Sequence, residues 1–222
     1  MTYYFGFIPS NKLNEMIDEA ERVITSNEQT DYYPYRNNLT QQIARELIDN
    51  LLVGLIDVIP NSERQAAMKK IVGTIERTTE TLLNVLLGKD KNEDILPSFN
   101  FLKHQTMFVD NDGVRRVGYK LSTASVQTIM DGFSAVKLDV VDKPAFEKAL
   151  ETINEDSLEH FLIRFTETLN LGVIKRKSIP VAKAAIDKGL SMALHKLLPQ
   201  LPDAGLKRLA NFYEPFFVEI KD

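Results

Sequence analysis

The stretch LTQQIARELIDNLLVGLIDVI, residues 39–59, decides the fold. Its apolar residues recur at intervals of three and four and cover most of the circumference of a helix. Only a narrow polar stripe, which includes Glu46 and Asn50, interrupts them. A helix that is apolar on most sides must be covered on most sides. The sequence therefore predicts that this helix lies at the centre of a larger bundle.

A second helix is predicted directly after the first. Pro60 ends the first helix, and Ser62 followed by Gln65 has the spacing of a capping box. Apolar residues then recur at three and four up to Leu87, and Gly88 offers a left-handed stop. The two helices form a long αα-hairpin of about 30 to 37 Å. We expect other helices and a second copy of the protein to cover this hairpin.

A β-hairpin is predicted in FVDNDGVRRVGY, residues 108–119. Asp112-Gly113 is a strong signal for a two-residue turn, because both residues tolerate the positive φ that a type I′ turn requires. This register would place Asp110 opposite Arg115.

The same stretch only partly matches a calcium-binding loop. With Gly113 at the sixth position, Phe108 and Tyr119 occupy the first and twelfth positions, where oxygen ligands are needed. Two missing ligands would leave the ion half coordinated. We therefore expect a turn here and no metal.

Most of the remaining chain has helical periodicity. We predict irregular structure at residues 30–38 and, apart from one helical turn, at residues 87–101. The aromatic ends TYYFGFIP and PFFVEI could extend the β-hairpin into a small sheet. The predicted fold is mainly α, a multi-helix bundle built around the αα-hairpin in a single domain, residues 1–222, with a subdivision near 89–122. Further helices are predicted from Ser10 to near Asn27, after Ser122, after Asp142, over residues 158–169 and 179–198, and at Asp203–Tyr213.

Composition excludes several classes of protein. The 222 residues contain no cysteine, which rules out a disulfide framework and thiol chemistry. The most apolar run, residues 47–59, is shorter than the roughly 20 residues of a membrane span and carries Asp49 and Asp57. The start MTYYFGFIPSNKLNE has no secretory signal pattern. We expect a cytoplasmic protein with no membrane span.

Charge is unevenly distributed along the chain. The net charge is −4, yet residues 171–213 carry eight basic and two acidic side chains, a local +6 that leaves −10 elsewhere. The basic segment either complements acidic segments, within the fold or across a dimer, or binds an anionic partner. Lys175, Arg176 and Lys177 are the candidate anion contacts, because they adjoin the start of a predicted helix.

The basic segment also has one feature of a DNA-reading motif. In VAKAAIDKGLSMALHKLL, residues 181–198, the order Ala185, Gly189, Ser191 is similar to the bend of a helix-turn-helix. The second helix would then bury His195 and present few polar side chains to bases. We favour one continuous helix in which Gly189 is a packing notch, and nucleic-acid binding is the alternative.

No local motif for catalysis or metal binding occurs. The three histidines, His104, His160 and His195, do not lie in a pattern such as HExxH. His160 lies four residues after Asp156 and four before Arg164, which suits an acid/base pair but is more typical of a solvated charged face. We predict no catalytic residue, no cofactor and no metal.

One candidate pocket combines distant residues. Tyr32, Tyr35 and Arg36 could stack on a ring-shaped ligand, and with His160 they could line a pocket between the αα-hairpin and the C-terminal helices. The favoured function is a non-catalytic interaction protein that self-associates as a homodimer and binds a protein partner. The alternatives are a nucleic-acid-binding regulator that uses the basic C-terminal helices, and a small-ligand binder or enzyme that uses the pocket.

Overall fold

A computed structural model describes residues 1–26, 28–53, 56, 59, 62–137 and 141–221. The fold is mainly α-helical with one small antiparallel sheet, as the sequence predicts. The helices of the described residues are α1 (Asn11–Thr25), α2 (Tyr33–Ile48), α3 (Ser62–Leu86), α4 (Asn92–Phe101), α5 (Thr123–Ala135), α6 (Lys143–Leu158), α7 (Val173–Leu197) and α8 (Asp203–Tyr213).

Three helices continue into π-helical turns. They are Asp49–Val53 after α2, Leu102–Thr106 after α4 and Glu159–Arg164 after α6, and a short helical turn, Phe165–Glu167, follows the last of them. π-helical turns are rare and occur frequently at functional sites. The three turns therefore mark candidate functional positions.

Helix starts follow the predicted capping signals. Ser10, Ser122 and Asp142 cap α1, α5 and α6, each accepting a hydrogen bond from the backbone N–H three residues later, at 3.1, 3.0 and 3.1 Å. These three predicted helices are confirmed, and so is α8. The predicted end of α1 near Asn27 lies outside the described residues, and the described helix ends at Thr25.

The αα-hairpin forms from α2 and α3, and the chain itself covers most of it. Helix α7 packs along α3, while α1 and α4 pack on α2. Of the described apolar residues, Leu47 and Ile71 are half-buried, and Val53 and Val85 are exposed. The hairpin thus presents no large uncovered apolar face, although Leu55 and Pro60 lie outside the described residues. Its buried residues include Leu39, Ile43, Ile48, Leu51, Leu52, Met68, Val72, Ile75, Leu82, Leu83, Leu86 and Leu87.

Two segments predicted as irregular are helical. Residues 33–38 form the start of α2, because Pro34 lies in the first turn, where a missing N–H costs nothing. Helix α4 forms despite Pro97 inside it. Burial of Ile95 and Phe99 in the core outweighs the cost of that proline, since tertiary packing supplies most helix stability.

The C-terminal helices are longer than predicted. Helix α6 continues through its π turn, so the predicted break near residue 158 is absent. Helix α7 begins at Val173, and it runs through Gly189 without the bend that a helix-turn-helix needs. A Cβ atom on Gly189 would lie 3.0 Å from Ile75 Cγ1, which confirms Gly189 as a packing notch against α3.

The sheet has the strand order β2-β3-β1-β4, and every neighbouring pair is antiparallel. The N-terminal strand pairs with β3 of the predicted β-hairpin and the C-terminal strand pairs with the N-terminal one, so the predicted extension into a small sheet is confirmed. The strands are β1 (Thr2–Phe7), β2 (Met107–Val109), β3 (Arg115–Lys120) and β4 (Phe217–Ile220).

The β-hairpin between β2 and β3 is confirmed, but its register differs from the prediction by one residue. Val109, and not Asp110, pairs with Arg115. The Asp110 carboxylate accepts two backbone N–H groups of the loop, at 3.1 and 2.9 Å, and the Arg116 guanidinium at 2.6 Å. The Arg116 guanidinium also holds the pKa of Asp110 below its ordinary value. These bonds favour a three-residue loop that ends at Gly113, whose φ is 78°.

The closest backbone approach between β1 and β3 involves Gly6 and Gly118, which face each other. A Cβ atom on Gly118 would lie 2.0 Å from the Phe5 carbonyl oxygen. Gly118→Ala should therefore lower the free energy of unfolding in urea by about 1–3 kcal/mol or more. In α3, a Cβ on Gly73 would meet no neighbouring atom within 4 Å. Gly73→Ala should therefore raise the free energy of unfolding by about 0.5–1 kcal/mol. Equal stability of the two variants would contradict this interpretation.

Candidate functional site

A cavity of about 110 Å³ lies between the αα-hairpin and helices α4, α6 and α7. Its wall is almost wholly apolar. The sequence places a pocket between these same parts of the chain, but from other side chains. Each of the five helices, three of them with a π-helical extension, contributes to the wall, for example Ile43, Leu82, Phe101, Leu162 and Ile186.

All three π-helical turns border this cavity. Leu51 and Leu52 come from the first turn, Leu102 from the second, and Phe161 and Leu162 from the third. π-helical geometry is unusual at any one place in a helix. Its occurrence in three helices around one space marks the cavity as the candidate functional site. None of the local sequence patterns that indicate caps and turns indicates a π-helical turn, so the sequence did not predict these three turns.

The cavity has a polar corner on α6. Asn154 and Ser157 line the wall there. The Ser157 hydroxyl lies 3.0 Å from the Tyr119 hydroxyl, which donates to the Ile153 carbonyl oxygen at 3.1 Å. Burial raises the pKa of Tyr119, which keeps the phenol protonated. An apolar wall with a few placed polar groups is typical of small-molecule sites.

His160 lies behind the cavity wall. Its ring packs against Phe101, Tyr119 and Phe161, at centroid distances of 4.9, 5.4 and 5.0 Å. Its Nε2 lies 3.0 Å from the Thr106 hydroxyl oxygen, whereas its buried Nδ1 has no hydrogen-bond partner. Burial lowers the pKa of His160 to about 3, so the ring is neutral at physiological pH. Phe101 and Phe161 separate it from the cavity, whose wall they form.

The acid/base pair that sequence spacing suggests does not form. Neither Asp156 Oδ2 nor His160 Nδ1 has a hydrogen-bond partner. Burial raises the pKa of Asp156. The alternative, a solvated charged face, does not hold for His160 either, because it is only 3% exposed. Arg164 does lie at the surface, where it donates to the Gln105 side chain at 2.8 Å.

Arg36 is fully buried, and its guanidinium is occupied by the protein itself. It donates to Asp90 at 2.6 Å, to Ser98 at 3.0 Å and to the Asn37 side chain at 2.7 Å. Burial lowers the pKa of Arg36, and the Asp90 carboxylate opposes that effect. Arg36 therefore ties α2 to α4 and to the segment that precedes α4.

The structure does not bring the four predicted pocket residues together at the cavity. None of Tyr32, Tyr35, Arg36 and His160 lines it. Tyr32 is buried at the start of α2, with its backbone N–H donating to Asn92 at 2.9 Å, and Tyr35 is half-buried. Arg36 and His160 share no hydrogen-bond partner. A buried guanidinium needs bonds to all its donors, and satisfying them closes the space around it.

Two of the three candidate anion contacts have intramolecular roles. Lys175 Nζ donates to the Leu86 carbonyl at the end of α3, at 3.1 Å, where a cation is favourable. Arg176 Nε donates to the Leu171 carbonyl at 3.0 Å. Lys177 is exposed. Anion binding by these residues stays a prediction.

One group of side chains has the composition of a metal site. Ligand atoms of Glu147 and Glu151 on α6 and of His195 on α7 lie within 4.8 Å of one another. Ion pairs account for the same geometry, because His195 Nδ1 lies 2.7 Å from Glu147 Oε1 and Lys148 lies 3.7 Å from Glu151. Three ligands are also one fewer than a closed zinc site has. The sequence did not reveal this group because its members lie on two separate helices.

His160 should make folding stability depend on pH. Its pKa is about 3 in the folded protein and 6.5 when unperturbed, so stability present above pH 6.5 is lost as the pH falls toward 3. Between pH 7 and pH 5 the loss from His160 should be about 2 kcal/mol. His160→Gln, which does not titrate, should remove that loss, while the exposed His104→Gln should keep it. Urea unfolding at pH 7, 6 and 5 measures the difference, and identical pH profiles for wild type and His160→Gln would refute it.

None of the helices in the described part of the chain combines the length and apolar character that crossing a bilayer requires. No protein-family model matches the chain, and no curated protein or solved structure matches it.

Proposed function

We propose that the protein binds a small, largely apolar molecule in the cavity between the αα-hairpin and helices α4, α6 and α7. The observation that carries this proposal is the position of three π-helical turns around one space. The cavity wall is almost wholly apolar, so an occupant that displaces water from it gains hydrophobic free energy.

The size and lining of the cavity limit the ligand. A cavity of about 150 Å³ with an apolar lining stays dry and accepts benzene, so a space of about 110 Å³ suits about four to six carbon atoms. The part of the ligand inside it should be uncharged, because an unpaired charge in an apolar space is very costly. Ser157 and Asn154 could bond one polar atom.

Binding without catalysis suits the polar corner best. A nucleophilic hydroxyl needs an adjacent base. Ser157 is paired with Tyr119, and burial keeps that phenol protonated. His160 cannot act as the base, because Phe101 and Phe161 separate its ring from the cavity.

Benzene should bind to the folded protein with saturable heat in isothermal titration calorimetry and should raise the melting temperature. Leu158→Phe fills part of the cavity and should weaken binding at least about tenfold while the fold stays intact. The matched control is Leu96→Phe on α4, which does not line the cavity and should bind like wild type. Absence of saturable binding to the folded wild type, or equal loss in both variants, would contradict the proposal.

Protein interaction is the second candidate function. It is favoured by three apolar side chains on α7 that are highly exposed, Val173 at 72%, Ile174 at 88% and Val181 at 71%. Ile174 and Val181 are seven residues apart and so share one face of α7, and apolar side chains that are exposed together on one face favour an interaction site. The rest of the chain covers most of the described residues of the αα-hairpin, so the hairpin does not provide an apolar surface that favours self-association. A dimeric state and a cytoplasmic location stay predictions.

If α7 mediates self-association, sedimentation velocity should show a concentration-dependent increase in molecular mass. Ile174→Ser with Val181→Ser should shift the equilibrium toward the monomer, because it removes exposed apolar area from α7. Val85→Ser, on the exposed side of the αα-hairpin, is the control and should associate like wild type. A wild-type protein that stays monomeric at all concentrations would rule out self-association.

A further inference from the structure

A surface groove adjoins the cavity on the outer side of the αα-hairpin. The groove has a volume of about 250 Å³ and is formed by α2, the first residue of its π turn and α3. Ala44, Ile48, Thr79 and Leu83 line both the groove and the cavity. These four side chains are therefore a common wall between an outer and an inner space.

The common wall is thin. Ala44 and Thr79 have short side chains and are half-buried. Ile48 is the last residue of α2 before the π turn, and Leu83 faces it from α3. Because the two spaces share these four side chains, a molecule seated in the groove lies directly beside the cavity. Side-chain rotamer changes of Ile48 and Leu83, which are fast compared with backbone rearrangement, are sufficient to adjust this wall.

The groove has an excess of negative charge. Its charged side chains are Arg45, Asp49, Glu76 and Glu80, one positive and three negative, for a net charge of −2. Glu76 and Glu80 are four residues apart on α3, a spacing at which like charges repel. No salt bridge neutralises any of the four within the part of the chain that the structure describes.

We propose that the groove and the cavity together bind one amphiphilic molecule, with a cationic head such as an ammonium group in the groove and a short apolar tail in the cavity. This inference rests on the proposed function of the cavity and adds the chemical class of the ligand. The head keeps its charge in contact with water and carboxylates, and the tail, of about four to six carbon atoms, displaces the void.

The charged residues of the groove favour a cationic head group over an anionic or a neutral one. An anionic head would face three carboxylates and one guanidinium, so the net interaction is repulsive. A neutral head gains no ion pair. A purely apolar molecule would fill the cavity and leave the groove unused.

Pentylamine, pentanol and pentanoate share one tail and differ in head charge at neutral pH. Calorimetric titration of the full chain at low salt should show that pentylamine binds about threefold to tenfold more tightly than pentanol. The difference in affinity should be no larger, because exposed ion pairs are individually weak. Pentanoate should bind more weakly than pentanol. The preference for the amine should shrink at high salt, since exposed charges are screened.

A paired substitution tests the role of the groove. Glu76→Gln with Glu80→Gln should lower the affinity for pentylamine to that for pentanol and leave benzene binding unchanged. The matched control is Glu15→Gln with Glu19→Gln, which places the same change at the same spacing on the exposed face of α1 and should keep the amine preference.

The outcomes separate this inference from the proposed function. If benzene binds while pentanoate binds as well as pentylamine, or while none of the three amphiphiles binds, the inference fails and the cavity remains a binding site. An equal effect of the two paired substitutions would also overturn it. If benzene does not bind to the folded protein, the proposed function fails and this inference fails with it.

Discussion

The structure depends on covering the αα-hairpin, whose first helix is apolar on most sides. Helices α1, α4 and α7 supply much of the cover, and Gly189 allows the closest approach, because any side chain there would press on Ile75. The covering helices come from different parts of the chain. Where five helices meet, their side chains leave a space of about 110 Å³. The cavity is therefore a consequence of how the hairpin is covered, and its π turns show that the surrounding backbone departs from regular helix at three points.

Because other helices cover the hairpin, the most exposed apolar residues of a helix lie on α7 and not on the hairpin. Most of the large aliphatic residues of α2 and α3 are buried, whereas Ile174 and Val181 on α7 are exposed. Helix α7 thus buries one side on α3 and presents the other, with Lys177 and Lys188, to solvent. The expectation of a second copy came from the apolar content of the hairpin. The apolar content of the hairpin indicates how much of its surface must be covered. It does not indicate whether the covering residues belong to the same chain or to a second copy.

Local interactions made much of the fold predictable. Caps such as Ser122 and the Asp112-Gly113 turn act within a few residues, so their signals stand in the sequence. The register of the hairpin was missed because the Asp110 carboxylate bonds the loop and Arg116 together. The sequence predicts a pocket between the αα-hairpin and the C-terminal helices but assigns it other side chains, because the cavity wall combines residues as distant as Thr40 and Ile186. Arg36 was assigned to a pocket because its partner, Asp90, is 54 residues away and no spacing reveals that bond.

Among the described residues, most buried polar groups have hydrogen-bond partners, and the exceptions show where the fold is less stable than it could be. Every side-chain nitrogen of Arg36 and both carboxylate oxygens of Asp110 have a hydrogen-bond partner, so the fold is able to satisfy buried polar groups. Two buried side-chain atoms of the described residues nevertheless have no partner, Asp156 Oδ2 and His160 Nδ1, and each such atom costs about 1–3 kcal/mol. Both lie where α6 becomes π-helical, and the His160 ring packs against Phe101 and Phe161 of the cavity wall. A void, three π turns and two unbonded polar atoms in one region are separate costs. Because sequences break local rules chiefly at functional sites, their coincidence there points to a role that the region performs.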